Sequence, residues 1–229
     1  MRLLAIDTAL EACSAAVLDT TGGGIVARES LPMVRGHAEA LMPLVQRVMG
    51  ASRLAFADLD RIAVTVGPGS FTGLRVGIAA ARGIGLAAGK PVVGLTTLAA
   101  FAAPFIAEDD SLPVVAAIDA RHAHVYLQVY GRAGRVLVAP RIASLHEAGL
   151  RAAAAGAPRL AGTGAELLAD AWPAGERPPR AVDPRRAPDI AWVARLGVIA
   201  QETQAAPKPL YLRAPDAQPQ DASHLVERI

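Results

Sequence analysis

The sequence predicts an α/β protein built as two similar units in tandem, each a mixed five-stranded sheet with helices. Three observations carry this expectation. Hydrophobic residues make up 52% of the 229 residues against 19% charged, enough apolar material for one large domain or two of about 100 residues each. A meander of short apolar runs opens the chain. The same meander returns halfway along it.

In the first copy, Leu3 to Ile6 and Ala15 to Leu18 are followed by the turn Gly22-Gly23-Gly24 and then Ile25 to Ala27, the pattern of an antiparallel meander. In the second, Val114 to Ile118, Val125 to Val129 and Val136 to Val138 repeat it, with a turn over Gly131 to Gly134 before the third run. Asp7 and Asp119 end the first strand of each copy. After the first meander the patterning gives a helix over Gly36 to Met49, a strand over Ile62 to Val66, a helix over Phe71 to Ala88, a strand over Val92 to Gly94 and a helix over Thr97 to Ala107. The second half is shorter, with a helix over Leu145 to Ala155, a strand over Arg159 to Ala161, a helix over Ala165 to Ala171 and, beyond a proline-rich loop, a helix over Ile190 to Gln201. Antiparallel strands followed by helix-crossed parallel ones, occurring twice, make a duplicated mixed sheet. The boundary falls in the loop from Glu108 to Leu112, giving domains over 1–108 and 109–206. The polar, proline-rich tail 207–229 is expected to start by packing back on the protein and to end mobile.

Charge and cysteine content narrow the function classes. The formal net charge is +2, from 23 basic and 21 acidic residues, and no run of like charges stands out. Strong direct nucleic-acid binding is not indicated, because neutralising phosphates needs a clustered basic footprint. Cys13 is the single cysteine, so no intrachain disulfide can form, and the chain starts in a strand-like segment without a charged-then-apolar leader. A reducing, cytoplasmic setting is the expectation. The richest apolar stretch, Val76 to Ala88, is broken by Arg82 and three glycines, short of the roughly 18 to 20 residues of a membrane span.

The most informative stretch is Gly67-Pro68-Gly69-Ser70-Phe71-Thr72-Gly73-Leu74-Arg75-Val76-Gly77, between a β-branched strand and a long helix. A strand-to-helix turn exposes backbone N–H groups at the positive end of a helix and can hold an anion. It lacks the Gly-Lys-Ser/Thr of a nucleoside-triphosphate loop and the glycine spacing of a dinucleotide loop. The plainer reading is a tight turn with Ser70 capping the helix. Within that helix Gly73, Gly77, Ala81 and Gly85 recur every fourth residue, although each glycine costs about 1 kcal/mol against alanine. Small residues at this spacing let another backbone approach closely. Only a narrow polar strip remains, around Arg75 and Arg82. The Gly36 to Met49 helix is also apolar on more than one side. Two such helices suggest a protein partner, with His37, Leu41, Leu44, Val45 and Val48 on one and Leu74, Arg75, Ile78 and Arg82 on the other as the expected contacts. The alternative is that both are ordinary core helices.

Groups for bond-making chemistry are sparse. His122 and His124 would share a strand face, but no third metal ligand lies nearby in sequence. His37, at a helix start, reads as a capping or packing residue, and Cys13 as a small buried one. No His-Glu-x-x-His helix or Gly-x-Ser-x-Gly turn occurs. No metal site is expected. Asp7 and Asp119 sit where an actin-like ATPase places its magnesium- and phosphate-handling hairpins. Those hairpins need glycine after the aspartate so that backbone N–H groups can reach phosphate oxygens. Here the turns read Asp7-Thr8-Ala9 and Asp119-Ala120-Arg121. Nucleotide binding is expected to be weak or absent, with Asp7, Thr8, Gly67, Gly69, Ser70 and Asp119 the weak candidates for it.

Four segments resemble one known family: Leu4-Ala5-Ile6-Asp7-Thr8 with Glu11-Ala12-Cys13-Ser14, then His37-Ala38-Glu39-Ala40-Leu41-Met42-Pro43, then Gly67 to Gly77, then Pro207 to Arg213 with Tyr211-Leu212-Arg213. All are similar to the TsaB family, most specifically in the first 100 residues. The resemblance implies two tandem actin-like (ribonuclease H-like) domains and a non-catalytic paralogue of TsaD, which transfers a threonylcarbamoyl group to the adenosine beside the anticodon of tRNA. It implies docking on TsaD through the helices Gly36 to Met49 and Phe71 to Ala88, with an ATPase subunit, TsaE, joining the pair and tRNA reached through the complex. A homodimer of the free chain through the same helices is a further expectation. Where TsaD-like proteins carry a His-x-x-x-His metal pair, the position four after His37 is Leu41. Ala161-Gly162-Thr163-Gly164 resembles a worn adenosine-contact loop. The competing readings are an actin-like small-molecule kinase or ATPase, motivated by Asp7 and Asp119, and a peptidase, for which every needed group is missing.

Overall fold

The computed structural model describes residues 1–203 and 205–213; the expected mobile end of the tail, 214–229, lies outside the described residues. The first half runs β1 (Arg2–Asp7), β2 (Ala12–Asp19), β3 (Gly24–Pro32), α1 (His37–Ser52), β4 (Arg61–Gly67), α2 (Phe71–Ala88), β5 (Val92–Thr96) and α3 (Thr97–Glu108). The second runs β6 (Val114–Asp119), β7 (His124–Tyr130), β8 (Val136–Ser144), α4 (Leu145–Ala153), β9 (Arg159–Ala161), α5 (Ala165–Asp170), β10 (Ala181–Asp183) and α6 (Ile190–Ile199).

The sheets have the order β3-β2-β1-β4-β5 and β8-β7-β6-β9-β10. In both, the first three strands are antiparallel and the last two join in parallel. This is one mixed five-stranded sheet used twice. Three strands differ from the sequence expectation. The third strand of each half is much longer than its apolar run, because an edge strand alternates exposed and half-buried positions and so shows little hydrophobic signal. The fifth strand of the second half, β10, lies in what reads as a proline-rich loop. Its three residues are mostly exposed and pair with β9 alone.

Each sheet is covered on both faces, so its central strands are buried on both sides. On one face of the first sheet, Leu4, Ile6, Val17, Ile62 and Val64 pack on α1 and α2. On the other, Leu3, Ala5, Ala16, Leu18 and Ala63 pack on Ile190, Val193 and Ala194 of α6. In the second sheet Val115, Ala117, Leu127 and Val129 face α4 and α5, while Val114, Ala116 and Ile118 meet Leu98, Phe101 and Ala102 of α3. The last helix of each half therefore covers the sheet of the other half.

Two buried arginines fix this exchange. Arg61, at the start of β4, donates from Nη1 to the carbonyls of Gly197 (2.8 Å), Val198 (3.2 Å) and Ala200 (2.9 Å) at the end of α6, and its Nη2 meets Glu202 at 2.6 Å. Arg159, at the equivalent start of β9, donates to the carbonyl of Asp109 at 2.6 Å just past α3 and lies 3.6 Å from Glu108. The last carbonyls of a helix have no partner within it and carry its negative end. A guanidinium with several donors satisfies them.

Candidate functional site

The glycine-rich turn between β4 and α2 is a packing device. Ser70 accepts a hydrogen bond from the Gly73 N–H at 3.3 Å and caps α2, while its own N–H donates to the carbonyl of Ala9 at 2.7 Å. The Thr8 hydroxyl donates to the Gly73 carbonyl at 2.7 Å. A Cβ on Gly69 would strike the Ala9 carbonyl, one on Gly73 the Thr8 carbonyl and one on Gly77 the Thr8 hydroxyl. A Cβ on Gly85 would meet Val92. The backbone that the small-residue stripe admits is thus the chain's own turn after β1, with β5 beneath its far end. Two of the N–H groups that could have met a phosphate are already bonded.

Asp7 is wholly buried. Its Oδ1 accepts from the Thr65 hydroxyl and from the Ala9 N–H at 3.1 Å, and Oδ2 has no partner among the described residues. Burial pushes its pKa up from the ordinary 3.8, against the smaller opposing effects of these two hydrogen bonds and of His37. The second copy of the turn is more open: Asp119 accepts from the Arg121 N–H at 2.7 Å, and its own N–H donates to Thr163 at 3.0 Å. The worn loop resembling an adenosine contact is folded onto the end of β6. A Cβ on Gly162 would strike the Ala117 carbonyl, and one on Gly164 would lie 3.1 Å from the Asp119 nitrogen.

Of the six weak candidates for nucleotide contact, Gly69, Ser70 and Asp119 come together. They line a cleft of about 600 Å³ between the halves, with Thr163, Arg121, Arg186 and Arg213. Asp7, Thr8 and Gly67 do not line it. Arg186 bridges it to Glu11 at 2.6 Å, and Arg213 donates to the Ala120 carbonyl at 2.8 Å.

The remaining polar candidates are accounted for locally. His37 packs at the start of α1 with Nε2 3.0 Å from the Leu10 carbonyl. Buried Cys13 has its thiol pushed up to about 11, chiefly by burial and then by the nearby Asp7. His122 does not share a strand face with His124, because Arg121, His122 and Ala123 all take left-handed backbone angles in the turn and β7 begins only at His124. The His124 ring contacts the His122 carbonyl at 2.7 Å. No group of three or more His, Cys, Asp or Glu able to hold a metal occurs among the described residues.

The expected contact residues on α1 and α2 divide sharply. His37, Leu41, Leu44, Val45 and Val48 of α1, and Leu74 and Ile78 of α2, are buried in the chain's own core. Sheet and helices already cover them, so apart from a sliver of Ile78 at a groove edge they are no free surface. Arg75 and Arg82 are exposed. The apolar residues left outside are others: Met42 (42% exposed), Phe71 (45%) and Leu86 (85%). Phe71 lies four residues before Arg75 and Leu86 four after Arg82, so the strip around the two arginines, followed along the helix, could have found them. Between α1, the 3₁₀ turn Phe56–Asp58 and α2 lies an apolar groove of about 500 Å³, lined by Met42, Phe56, Ala80, Gly83, Ile84 and Ala87 among others.

Comparison with known proteins gives the arrangement its relatives. Residues 12–158 match the family model described as TsaD: tRNA N6-adenosine threonylcarbamoyltransferase. A protein of Escherichia coli K12 named tRNA threonylcarbamoyladenosine biosynthesis protein TsaB is 41% identical over 132 residues, 58% of this chain and 56% of that one. A TsaB of Haemophilus influenzae is 37% identical over 129 residues, covering 52% of it. The chain thus spans about half the length of these curated relatives. An uncharacterized protein of Mycobacterium tuberculosis is 36% identical over 219 residues, 95% of this chain and 94% of that one. Among solved structures, YeaZ from Pseudomonas aeruginosa is 31% identical with a TM-score of 0.79, over 92% of this chain and 99% of that one. No helix among the described residues is long and apolar enough to cross a membrane. With a model match over more than half its length and relatives aligned almost end to end, the chain belongs to the TsaD-like family, and within it is similar to proteins named TsaB.

Proposed function

We propose that the chain is a non-catalytic partner subunit of TsaD, acting in the cytoplasm in threonylcarbamoyl transfer to the adenosine beside the tRNA anticodon. The observation that carries this reading is a contrast between two surfaces. The outer side of α1 and α2 holds an apolar groove and the exposed side chains Met42, Phe71 and Leu86. The glycine-rich turn at the start of α2, where an anion could have been held, is filled by Thr8 and Ala9 of the same chain. The names of the E. coli and H. influenzae relatives support the pathway. TsaE joins the pair, and tRNA is reached through the complex. In the free chain a second copy competes for the same face as a homodimer.

A protein partner suits this face because its driving force is burial of apolar surface, about 25 cal/mol per Å², over a patch of which a standard interface needs about 800 Å² per side. The experiment is light scattering of the purified chain mixed with TsaD from the same genome. A heterodimer is expected. Leu86→Asp and Met42→Asp should each weaken it tenfold or more with the melting temperature unchanged. Ile78→Asp is no test of docking, since it places a charge in the core. Absence of any complex at tens of micromolar (a binding free energy weaker than about −6 to −7 kcal/mol) would overturn the reading.

The second reading, an actin-like small-molecule kinase or ATPase, has the convergence of Gly69, Ser70 and Asp119 on the cleft in its favour. Weak or absent nucleotide binding is the proposal here. Calorimetry with ATP and magnesium separates the two: tight binding with turnover by the lone chain would favour the enzyme.

A further inference from the structure

The segment that follows α6 returns to the first half and rebuilds part of its outer surface. Pro207 sits beside Gly94, where a Cβ would come within 3.2 Å of the proline ring. The Leu210 N–H donates to the Val66 carbonyl at the end of β4 at 2.7 Å. Tyr211 then lies along the start of α2. Its ring stacks on Phe71 with centroids 5.3 Å apart and planes at 28°, and its hydroxyl accepts from Arg75 Nε at 3.3 Å. The Arg75 guanidinium lies 3.8 Å from the Phe71 ring centroid. Arg213 closes the segment by donating to Ala120 in the second half.

Two features of this arrangement point outward. Tyr211 remains 43% exposed, as does much of Phe71, although both rings are held in place. Rigid aromatic and arginine side chains fixed before docking lose little entropy when a partner covers them, and such residues dominate binding energy at interfaces. Second, the segment and α2 enclose a groove of about 590 Å³ lined by Arg75, Ile78, Ala79, Arg82, Pro209 and Tyr211. It is apolar on its walls and cationic at its rim. Among the described residues neither Arg75 nor Arg82 has a carboxylate partner.

We propose that the docking face on α2 is composite, half built by residues 207–213, and that its occupant is a surface of the partner protein offering a carboxylate between apolar side chains. The carboxylate meets Arg82 and Arg75, and the apolar flanks cover Tyr211, Pro209 and Ala79. This rests on the partner reading above and specifies its chemistry. A second copy of this chain is the rival occupant.

The test is titration of TsaD by calorimetry at low and high salt against the full chain and four variants. Tyr211→Ala and Arg82→Glu should each weaken binding tenfold or more with unchanged melting temperatures. Arg132→Glu, an equal charge change in the second half, should stay within twofold. Added salt should weaken the wild type and have less effect on Arg82→Gln, because the ion pair is screened. Since Arg82 is exposed, its variants test the proposal even if Tyr211→Ala loosens the fold. Binding by the wild type that both Tyr211→Ala and Arg82→Glu leave within twofold overturns the composite face alone. Failure of the wild type to bind TsaD overturns the partner reading beneath it. If the variants instead abolish self-association in sedimentation and leave TsaD affinity unchanged, the face belongs to a second copy and the proposal fails.

Discussion

Asp7 is the residue at which this chain departs most from what its fold could support. In an open hairpin an aspartate at the end of the first strand would face a cation in the cleft. Here it faces Thr65 and Ser14 on the covered side of the sheet. Folding raises its pKa through burial, and the sign of the consequence follows. Below the unfolded value near 3.8 the group is protonated in both states and the penalty is absent. As pH climbs toward the folded value, the unfolded chain ionises while the native one does not. Stability is lost over that window and stays lost above it. Asp7→Asn removes the titration and keeps an oxygen for Thr65 and Ala9. The stability of Asp7→Asn relative to wild type should therefore rise between pH 3.5 and pH 7. Urea unfolding at both pH values measures it, and a difference that is flat or falls with pH would show that the carboxyl is not disfavoured by its site.

At the scale of elements, α2 shows two uses of glycine, one inside the four-residue stripe and one outside it. Gly73 touches the turn after β1, where any Cβ would collide with the Thr8 carbonyl, whereas a Cβ on Gly83 meets nothing within 4 Å. Gly83 is a helix-interior position, where alanine is favoured by about 1 kcal/mol, whereas Gly73 lies in the first turn, three residues after the Ser70 cap. Gly83→Ala should stabilise by about that amount, while Gly73→Ala should destabilise by about 1–3 kcal/mol, the range for overpacking. Chemical denaturation of the two variants decides it; equal effects would remove the turn contact as the reason for the stripe. The same helix shows what a sequence makes legible. The four-residue stripe, the Ser70 cap and the helix length are local patterns and could be read. Which side of an almost wholly apolar helix is covered depends on Thr8, on the sheet and on Tyr211, which lies 136 residues after Arg75. Hydrophobicity therefore singled out Leu41, Leu44 and Val45, which are core, and passed over Phe71 and Leu86. The three-residue strand β10 escaped for a similar reason, since its pairing with β9 leaves no periodic trace among prolines.

Across the whole molecule, the exchange of α3 and α6 makes chain order a poor guide to what folds with what. The first sheet has every strand it needs within residues 1–112, and a domain read from the sequence would be expected to fold alone. Yet one face of that sheet, with Leu3, Ala5, Ala16 and Leu18, is sealed by Ile190 and Val193. Among the described residues, the side-chain acceptors of Arg61 lie at the end of α6 and just past it, at Glu202. Burying a Leu, Ile or Val contributes about 1.5–3 kcal/mol, so losing cover over Leu3, Leu18 and Val93 and the alanines between them is comparable with the lower part of the roughly 5–15 kcal/mol of a whole domain. A buried guanidinium stripped of its acceptors adds to the deficit. The fragment 1–112 should accordingly lack a cooperative thermal transition, while the full chain melts in a single step. Adding the fragment 113–213, which brings α6 and receives α3 in return, should restore cooperativity. Calorimetry of the fragments apart and mixed measures this. A sharp native-like transition in 1–112 alone would mean that α6 rests on the first sheet without supporting it, and the halves would then be separable units joined by their tail.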